Sequence, residues 1–449
     1  MRGAGAIGTT VFFVVMSIAT VLSFMLSLRP TVSNAEKRNL MKFPSFTISG
    51  FLHGEYTQAI GDWFADTMPF RDTLTKYSDT IKKTLGIHTK ISNFSERVVS
   101  DAPKAEDGEE INQDTVDVTV AEVTTNVQAL LDAPALPDSI EPHQGEGGGH
   151  IEQALDSVYL YDNAAFEYYN FVESTADRYV AAVNRAADEL DGTGIQVYNM
   201  IIPTSMDIKL PQSVRDKLNT SDQNNAINYM TRRLSQKVKP VMIYDLEKKH
   251  ANEYTYFRTD HHWTTLGAYY AYAQFMAVKG ESFTPLSEFT PYAFSPYLGS
   301  FYSASGNAES LSATPDTVYA YAPPVPFTFK MKTSMDEDFM DWALIADAND
   351  YDTNCKYLCF IGGDQCLSLL ENTAMQQGNT LVLVKESFGN CFVPYLACNY
   401  KKVYVIDYRE FDGDITEYAK QVGANEILFQ NNISMTRNEG LVEELEAKV

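Results

Sequence analysis

The chain has 449 residues, of which 45% are hydrophobic and 12% aromatic, enough to bury at least one sizeable core beside smaller attachments. Its 35 Lys and Arg residues are outnumbered by 59 Asp and Glu residues, which gives a formal net charge of −24. This balance argues against a nucleic acid as partner, because phosphate binding needs a basic surface, and any membrane attachment would require a hydrophobic segment.

The first predicted element is a hydrophobic helix at residues 7–28. This run has no charged residue and is long enough to span a hydrocarbon layer of ~30 Å. A cleaved signal peptide would have a shorter apolar core of ~7–15 residues, although Ser33 and Ala35 resemble the small residues that precede a cleavage site. We therefore predict an uncleaved single-pass anchor after a cytoplasmic tail of residues 1–6. The flanking basic residues do not themselves place the rest of the chain outside the cytoplasm.

Two segments separate the anchor from the main domain. Residues 29–100 have a partly helical pattern, which is clearest at 64–85. Residues 101–150 carry twelve acidic residues and one base, Lys104, so their net charge is −11. A segment of this composition cannot bury enough apolar surface to offset the entropy of ordering. We therefore expect 101–150 to be an acidic disordered insertion.

Residues 151–449 have the pattern of an α/β domain, in which predicted helices and strands alternate. Helices are predicted at 163–190, from Ser221 to about residue 238, and from Thr264 to about residue 278. Strands are predicted at 195–202, 241–246, 356–363, 380–384, 402–406 and 426–430, with helical segments between the last three. Such alternation favours a mainly parallel sheet that is covered on both faces.

The first candidate site is the sequence Asp260-His261-His262-Trp263, which lies just before a helix that Thr264 can cap. In an extended segment Asp260 and His262 would share a face, whereas His261 would point to the other. A carboxylate beside an imidazole fixes its tautomer and stabilises the imidazolium formed on proton uptake. Two alternatives stay open: the acid could favour the helix start, or the His-His-Asp group could bind a metal with a distant ligand that the sequence does not reveal.

The second candidate site is Ser387, in the segment KESFG that follows the predicted strand at 380–384 and opens a helical segment. Ligands bind at the carboxyl ends of strands in parallel α/β sheets, and helix-start amides can stabilise an oxyanion. The same logic governs the nucleophile elbow, although the G-x-S-x-G motif is absent. Alone, Ser387 could simply cap the helix. Together with an Asp-x-His pair elsewhere, it is favoured as a nucleophile.

Other polar residues come at the ends of further predicted strands. Ser205 follows the strand at 195–202 and is a rival nucleophile, which we place in the wall of the same cleft. Gly363 and Asp364 come at the end of another strand, and Arg409 follows a third. Because the carboxyl ends of parallel strands meet at one edge, we expect these residues to line a substrate-binding cleft.

The five cysteines all lie between residues 355 and 398. An odd number cannot all pair within one chain, and no C-x-x-C pair points to a structural zinc site. Cys359, Cys391 and Cys398 fall in apolar segments, so we expect buried thiols.

The segment YFRTDHHWTTLGAYYAY resembles the signature of the DHHW protein family, which is similar to the alginate O-acetyltransferases that have an SGNH-hydrolase-like domain. The segments NAEKRNLMKFPSF, FADTMPFRD, CFIGGDQ and KESFGNCFVPYLACNYKKVYVIDYREFD extend the resemblance over most of the chain. The DHHW and ESFG blocks are its specific part. Glu386 stands where this family usually has an aspartate, and Asp364 where it usually has an asparagine.

The resemblance implies an SGNH-hydrolase-like three-layer domain with Asp260 and His262 as acid and base and Ser387 as nucleophile. It implies ping-pong transfer of an acetyl group to a cell-surface or exported polysaccharide, with no cofactor. It also places the bulk of the chain outside the cytoplasm, with a membrane-bound O-acyltransferase as an implied partner. Trp263 could stack on a sugar ring, although aromatic residues more often fill cores.

Three functions remain open at this point. A transferase and an esterase would use the same acyl-serine and differ only in whether a sugar or water attacks it. A catalytically silent, anchored scaffold or glycan-binding component of an export complex is the alternative of a different class. Convergence of Ser387, His262 and Asp260 in space would favour catalysis.

Overall fold

The computed structural model describes residues 158–449 continuously, and before them 101–104, 111, 113–118 and nine positions between 32 and 67. Among the residues described, no helix combines the length and apolar character that a membrane crossing requires. The predicted anchor at 7–28 lies outside them. The chain divides into two compact units, Met1–Lys90 with Glu146–Glu152 and Ile91–Gly145 with Gln153–Val449.

Little of the first unit is described. Its two-residue strands β1 (Val32–Ser33) and β2 (Arg38–Asn39) pair antiparallel. The rings of Phe43 and Trp63 meet edge to face at a centroid distance of 4.8 Å. Most of the partly helical segment predicted after the anchor lies outside the described residues.

The second unit is built on an eight-stranded mixed sheet. Its strands in spatial order are β10 (Met340–Asp341), β9 (Phe327–Lys332), β11 (Leu367–Asn372), β13 (Lys402–Asp407), β12 (Thr380–Lys385), β14 (Glu426–Asn432), β5 (Gln196–Ile202) and β6 (Val238–Pro240). From β13 to β6 the pairs are parallel, whereas β13, β11, β9 and β10 pair antiparallel. Two hairpins stand apart from this sheet, β3 (Val158–Tyr161) with β4 (Ala164–Glu167) and β7 (Thr290–Tyr297) with β8 (Asp316–Ala322).

Helices and short turns fill the connections. Within residues 158–449 the α-helices are α1 (Glu173–Glu189), α2 (Ser205–Ile208), α3 (Gln212–Arg215), α4 (Gln223–Thr231), α5 (Tyr244–Lys249), α6 (Thr265–Lys279), α7 (Ser300–Ala304), α8 (Glu309–Ser312), α9 (Val393–Leu396), α10 (Ile415–Gln421) and α11 (Glu439–Glu446). Turns of 3₁₀ helix lie at Leu286–Glu288, Lys356–Cys359, Ser387–Gly389 and Ile433–Arg437. α6 is apolar on nearly every side and is buried on nearly every side, whereas the amphipathic α1 buries one face.

The central strands are buried because their sequences are apolar without alternation. Residues 381–384 of β12 (LVLV) are fully buried, as expected for a parallel strand covered on both faces. β12, β13, β14 and β5 match the predicted strands to within one or two residues. Since these four strands run parallel, their carboxyl ends meet at one edge of the sheet. That edge carries the candidate site.

The predicted helix at 163–190 is wrong over its first ten residues. Ala164–Glu167 instead forms β4, which pairs with β3 across a tight turn, and α1 begins only at Glu173. The turn contains Asp162 at φ +51°, a left-handed conformation that Asp and Asn tolerate in two-residue hairpin loops. The hairpin signal at Asp162-Asn163 therefore outweighs the helical pattern downstream.

Two predicted strands are also wrong. Residues 241–246, predicted as a strand, instead lead into α5, which begins at Tyr244. Strand pairing in this region is confined to β6. The strand predicted at 356–363 is a 3₁₀ turn followed by three left-handed residues, Ile361, Gly362 and Gly363. Short apolar runs cannot distinguish a strand from a buried turn.

A buried lysine holds the segment that leads into this turn. Lys356 is 2% exposed, and its ammonium group donates to the carbonyl oxygens of Ala348, Asn349 and Tyr351 at 2.9–3.1 Å. These three bonds satisfy a buried charge and fold the preceding chain around it. Hydrophobic periodicity in the sequence cannot predict such a contact.

Part of the segment predicted to be disordered is ordered. Ala102 and Val118 are 2% and 4% exposed within the main core. Gln113 donates to the Pro240 carbonyl at 3.0 Å and accepts from the Met242 amide at 2.7 Å. The expectation of disorder is wrong for these residues, because a few apolar side chains and one amide suffice to anchor them. The remainder of 101–150 lies outside the described residues.

The five cysteines are free thiols. Cys359, Cys366 and Cys391 are buried, whereas Cys355 and Cys398 are partly exposed. The thiols therefore serve as small packing groups in this structure, with Cys398 less buried than its apolar segment suggested.

Candidate active site

Ser387 lies directly after β12, at the start of the 3₁₀ turn Ser387–Gly389. The carboxylate of Glu386 accepts from the Phe388 amide at 3.1 Å and from the Asn432 amide at 2.8 Å, so it ties this turn to the end of β14. A Cβ on Gly389 would lie 2.6 Å from the Lys385 Cβ, so the turn needs glycine there. Burial raises the pKa of Glu386, although Arg409 and the two amides oppose that shift.

Asp260 and His262 lie on a loop that closes like a hairpin just before α6. Tyr256 and Trp263 form an antiparallel bridge, and the Phe257 amide donates to the His262 carbonyl at 3.3 Å. The Trp263 indole N–H donates to the Phe388 carbonyl at 2.8 Å. One side chain thus connects the loop of the acid and base to the turn of the serine.

The structure brings the three predicted residues together. His262 Nδ1 lies 2.6 Å from Asp260 Oδ1, and His262 Nε2 lies 2.7 Å from Ser387 Oγ. Since a carboxylate can only accept, Nδ1 carries the hydrogen and Nε2 is left to accept from the serine hydroxyl. Asp260 is 3% and His262 7% exposed, whereas Ser387 is partly exposed. The Ser387 hydroxyl therefore reaches solvent, whereas the side chains of His262 and Asp260 are buried.

The second oxygen of Asp260 is held by the start of α7. Asp260 Oδ2 accepts from the Ser300 amide at 2.8 Å and from the Ser300 hydroxyl at 3.0 Å. Burial alone would raise the pKa of Asp260, but the neighbouring imidazoles of His262 and His261 and these hydrogen bonds outweigh it. They hold the pKa well below its usual range. Asp260 is therefore ionised at neutral pH.

Tyr357 contacts both His262 and Ser387, and no pattern in the sequence predicts these contacts. Its ring stacks on the His262 imidazole at a centroid distance of 4.1 Å and an angle of 14°. Its hydroxyl donates to the Ser387 carbonyl at 3.0 Å. Burial raises the pKa of Tyr357 well above its usual range, so the phenol stays protonated. This contact fixes the plane of the imidazole.

The prediction for His261 is wrong. The segment is a bend and not an extended strand, so the His261 ring lies against the His262 ring at 3.8 Å, with an angle of 37° between them. Its Nδ1 is 2.6 Å from Ser300 Oγ. Burial and the neighbouring His262 lower the pKa of His261 to about 3, so the ring is neutral at physiological pH.

Asp364 and Arg409, which the sequence analysis placed in the substrate-binding cleft, belong to a network of four charges beside the serine turn. Arg409 Nη2 bonds to Asp364 at 2.8 Å and to Asp407 at 2.7 Å, and Lys385 Nζ bonds to Asp364 at 3.1 Å and to Asp407 at 2.8 Å. The side-chain amide of Asn390 also donates to Asp364 at 2.8 Å.

This network fixes the strand ends around Ser387. The side chains of Lys385 and Asp407 are fully buried, whereas those of Asp364 and Arg409 are 17% and 12% exposed. Lys385 and Asp407 are cross-strand partners at the ends of β12 and β13. Opposite charges at the ends of two adjacent predicted strands were a signal that could have indicated this pair. Since Asp364 only accepts, it cannot supply the donor that an asparagine there would offer.

The other predicted cleft residues lie in the interior. Trp263 is fully buried, so its indole has no exposed face for a sugar ring. Ser205 is 2% exposed and its hydroxyl has no hydrogen-bond partner among the described residues. Gly363, at φ +82°, is a buried part of the left-handed turn that presents Asp364. All three residues are therefore buried rather than presented to a substrate.

Asp260, His261 and His262 also have donor atoms within 4.8 Å of one another, which is the spacing of a metal-ligand group. No further ligand from the described residues joins this group. Both ring nitrogens of His262 and Nδ1 of His261 are engaged in hydrogen bonds with Asp260, Ser387 and Ser300. The arrangement is that of a hydrogen-bonded relay, in which these three ring nitrogens have protein partners.

A search of curated proteins finds no match for the chain. Among solved structures, a DHHW family protein from Eubacterium siraeum is 27% identical, with a TM-score of 0.58 over 65% of this chain and 95% of that one. PatB1 from Bacillus cereus, in a structure with a sulfonyl adduct, is 19% identical, with a TM-score of 0.52 over 62% and 95% of the two chains.

A third structure, the O-acetyltransferase domain of Pseudomonas putida AlgJ, is 13% identical over 65% of this chain and 99% of that one. Its TM-score of 0.38 is too low to bear on fold or function. The model of the DHHW protein family matches residues 36–406, which include Asp260, His262 and Ser387. By this match over most of its length, the chain belongs to the DHHW protein family.

Proposed function

We propose that this protein is an O-acetyltransferase, or an acetylesterase running the same first half-reaction, that acts on a cell-surface or exported polysaccharide. The observation that carries the proposal is the continuous relay from Asp260 through His262 to Ser387, with contacts of 2.6 and 2.7 Å. A buried carboxylate, an imidazole with a fixed tautomer and a partly exposed hydroxyl form a nucleophile with its base and orienting acid.

The first half-reaction forms an acetyl-serine. Ser387 Oγ attacks the carbonyl carbon of an acetyl donor while His262 Nε2 takes the hydroxyl proton. The bond from that carbon to the leaving oxygen breaks, and His262 returns the proton to this oxygen. Asp260 keeps its charge throughout and stabilises the imidazolium.

The second half-reaction reverses these roles. A sugar hydroxyl attacks the acetyl carbon while His262 Nε2 takes its proton. The bond to Ser387 Oγ then breaks, and the serine regains a proton from His262. When water attacks in place of the sugar, the product is acetate. Transferase and esterase therefore differ only in which nucleophile reaches the acetyl-serine.

Most helix-start amides beside Ser387 do not serve the oxyanion in this structure, contrary to expectation. The backbone amide of Phe388 donates to the Glu386 carboxylate. The backbone amides of Gly389 and Asn390 donate to the carbonyls of Glu386 and Ser387, respectively. We propose the Ser387 amide as the oxyanion donor, because a nucleophile's own N–H lies beside the carbon that it attacks.

The wider setting is part of the same proposal. We assign the described α/β unit to an SGNH-hydrolase-like three-layer domain. The apolar run at 7–28 would anchor the chain in the cell membrane with its bulk outside the cytoplasm. A membrane-bound O-acyltransferase that delivers acetyl groups would be its partner. PatB1, whose fold is similar, carries a sulfonyl adduct, which suggests sulfonyl reagents as probes of Ser387.

Hydrolysis of an aryl acetate by the full chain tests the proposal. Ser387→Ala and His262→Ala should each lower kcat/KM by ~10³-fold or more, because the members of such a triad act as a unit. Ser334→Ala, which removes an exposed serine hydroxyl, should keep the parental rate. Equal turnover in all the proteins would support a catalytically silent scaffold or glycan-binding component instead.

A further inference from the structure

Within the Asp-His-His-Trp signature, Trp263 holds its loop to the serine turn, whereas His261 has no role in the proposed reaction. The hydrogen bonds of Ser300 show which ring nitrogen of His261 carries the hydrogen. The Ser300 hydroxyl lies 3.0 Å from Asp260 Oδ2 and 2.6 Å from His261 Nδ1. A carboxylate can only accept, so the single hydroxyl hydrogen goes to Asp260 and the serine oxygen accepts from His261. The His261 hydrogen is therefore on Nδ1, and Nε2 carries a lone pair.

The two imidazoles lie side by side in the same orientation. Nδ1 of His262 is 2.6 Å from Asp260 Oδ1, and Nδ1 of His261 is 3.9 Å from Asp260 Oδ2. Because the ring centroids are only 3.8 Å apart and both Nδ1 atoms face the carboxylate, both Nε2 atoms face away from it. His262 Nε2 meets Ser387 on that side. His261 Nε2 therefore lies on the nucleophile's side of the relay.

The lone pair on His261 Nε2 is available because the ring is partly exposed and neutral. The His261 side chain is 16% exposed, about twice the 8% of His262. The lowered pKa of His261, about 3, keeps its ring neutral at physiological pH, so Nε2 stays an acceptor. Two neighbouring imidazole lone pairs thus face the position that an attacking hydroxyl must take.

We propose that His261 Nε2 accepts a hydrogen bond from the hydroxyl next to the one that is acetylated, so that the acceptor is a vicinal diol, as on a pyranose ring. This inference rests on the proposed function and deepens it. The attacking hydroxyl gives its proton to His262 and forms the ester bond, whereas the neighbouring hydroxyl keeps its proton and only binds. Water and simple alcohols cannot make both contacts, so the second contact favours transfer over hydrolysis.

The test compares two acceptors with an aryl acetate as donor: cis-cyclohexane-1,2-diol and cyclohexanol. The measured quantity is the ratio of diol monoacetate to cyclohexyl acetate, corrected for the two hydroxyls of the diol. One hydrogen bond of ordinary strength should give the parent protein a ratio of about five to ten. His261→Phe should bring the ratio to about one. His261→Gln, whose side-chain oxygen can replace Nε2 as an acceptor, should restore part of it.

A ratio cancels any general loss of turnover in a variant, and the parent protein alone already tests the inference. No preference for the diol in the parent, or an unchanged preference in His261→Phe, would overturn it. Failure of the proposed function is separate, because it would appear as unchanged aryl acetate hydrolysis in Ser387→Ala.

Discussion

Asp260 is held by a backbone that approaches it more closely than any residue with a side chain would permit. An ideal Cβ on Gly299 would lie 2.2 Å from Asp260 Oδ2 and 2.4 Å from Asp260 Cβ. This close approach lets the Ser300 amide reach the carboxylate. A glycine 39 positions along the chain from the acid is therefore part of the support of the triad.

Gly299→Ala should lower kcat for aryl acetate hydrolysis by ~10²-fold, because a shift of about 1 Å in the orienting carboxylate misplaces the base. The measurement is kcat normalised to the folded fraction from circular dichroism. Ser303→Ala, an exposed change on the same helix, is the control and should keep the parental rate. Parental activity in Gly299→Ala would show that the approach at Gly299 is not needed.

The sequence predicted the three catalytic candidates but not their supports. Asp260 and His262 lie two residues apart in a recognisable motif, and Ser387 follows an apolar strand. Ser300 and Tyr357 touch these groups from distant parts of the chain, and neither stands in a pattern that predicts its contact. His261 was misplaced because the alternation rule holds only for extended backbone.

At the scale of elements, β8 positions the loop that carries Asp260. Asp316, its first residue, accepts from the amides of Arg258 and Thr259 and from the Thr259 hydroxyl, at 2.7–2.9 Å. The Tyr254 hydroxyl also donates to it at 2.7 Å. A single buried carboxylate therefore orders the chain immediately before the acid of the triad.

Asp316→Ala should lower the free energy of unfolding by ~3 kcal/mol or more, because it leaves several buried donors without an acceptor. Urea denaturation measures the change. Asp338→Ala, at an exposed acidic residue, should stay within ~0.5 kcal/mol of the parent. A loss in Asp316→Ala no larger than in this control would contradict the proposed role of β8.

Elements were predictable where sequence and burial agree. The central strands β12, β13 and β14 are apolar runs bounded by polar residues, so both their existence and their parallel arrangement followed from pattern alone. The segment at 356–363 is equally apolar, yet the carbonyl oxygens around Lys356 and the two glycines fold it into a turn. Such tertiary contacts override local preference.

At the scale of the whole molecule, the core contains an acid that the proposed reaction does not use. Glu247 on α5 is fully buried, and neither of its carboxylate oxygens has a hydrogen-bond partner among the described residues. Burial raises the pKa of Glu247 well above its usual range, against the charge of Lys209, while Glu253 adds to the shift. The folded protein therefore binds a proton that the unfolded chain releases near pH ~4.3.

This linkage makes stability fall as pH rises. Above pH ~4.3 the folded state holds more protons at Glu247 than the unfolded state, so the free energy of unfolding should drop by up to ~1.4 kcal/mol per pH unit until the folded pKa is reached. Glu247→Gln should remove this slope. The slope is measured by urea denaturation from pH 5 to 7, at pH values about one unit apart. The exposed Glu309→Gln is the control. Identical slopes in the parent and Glu247→Gln would contradict the argument.

The proposed reaction depends on acetylation of Ser387, and the acetyl-serine can be trapped. The full chain is mixed with an aryl acetate, quenched in acid within the first turnover and analysed by intact mass and peptide mapping. One added acetyl group is expected on the peptide that contains Ser387, and none on that peptide in Ser387→Ala. An acetyl group on Ser205 or another residue, or no covalent species despite turnover, would contradict it.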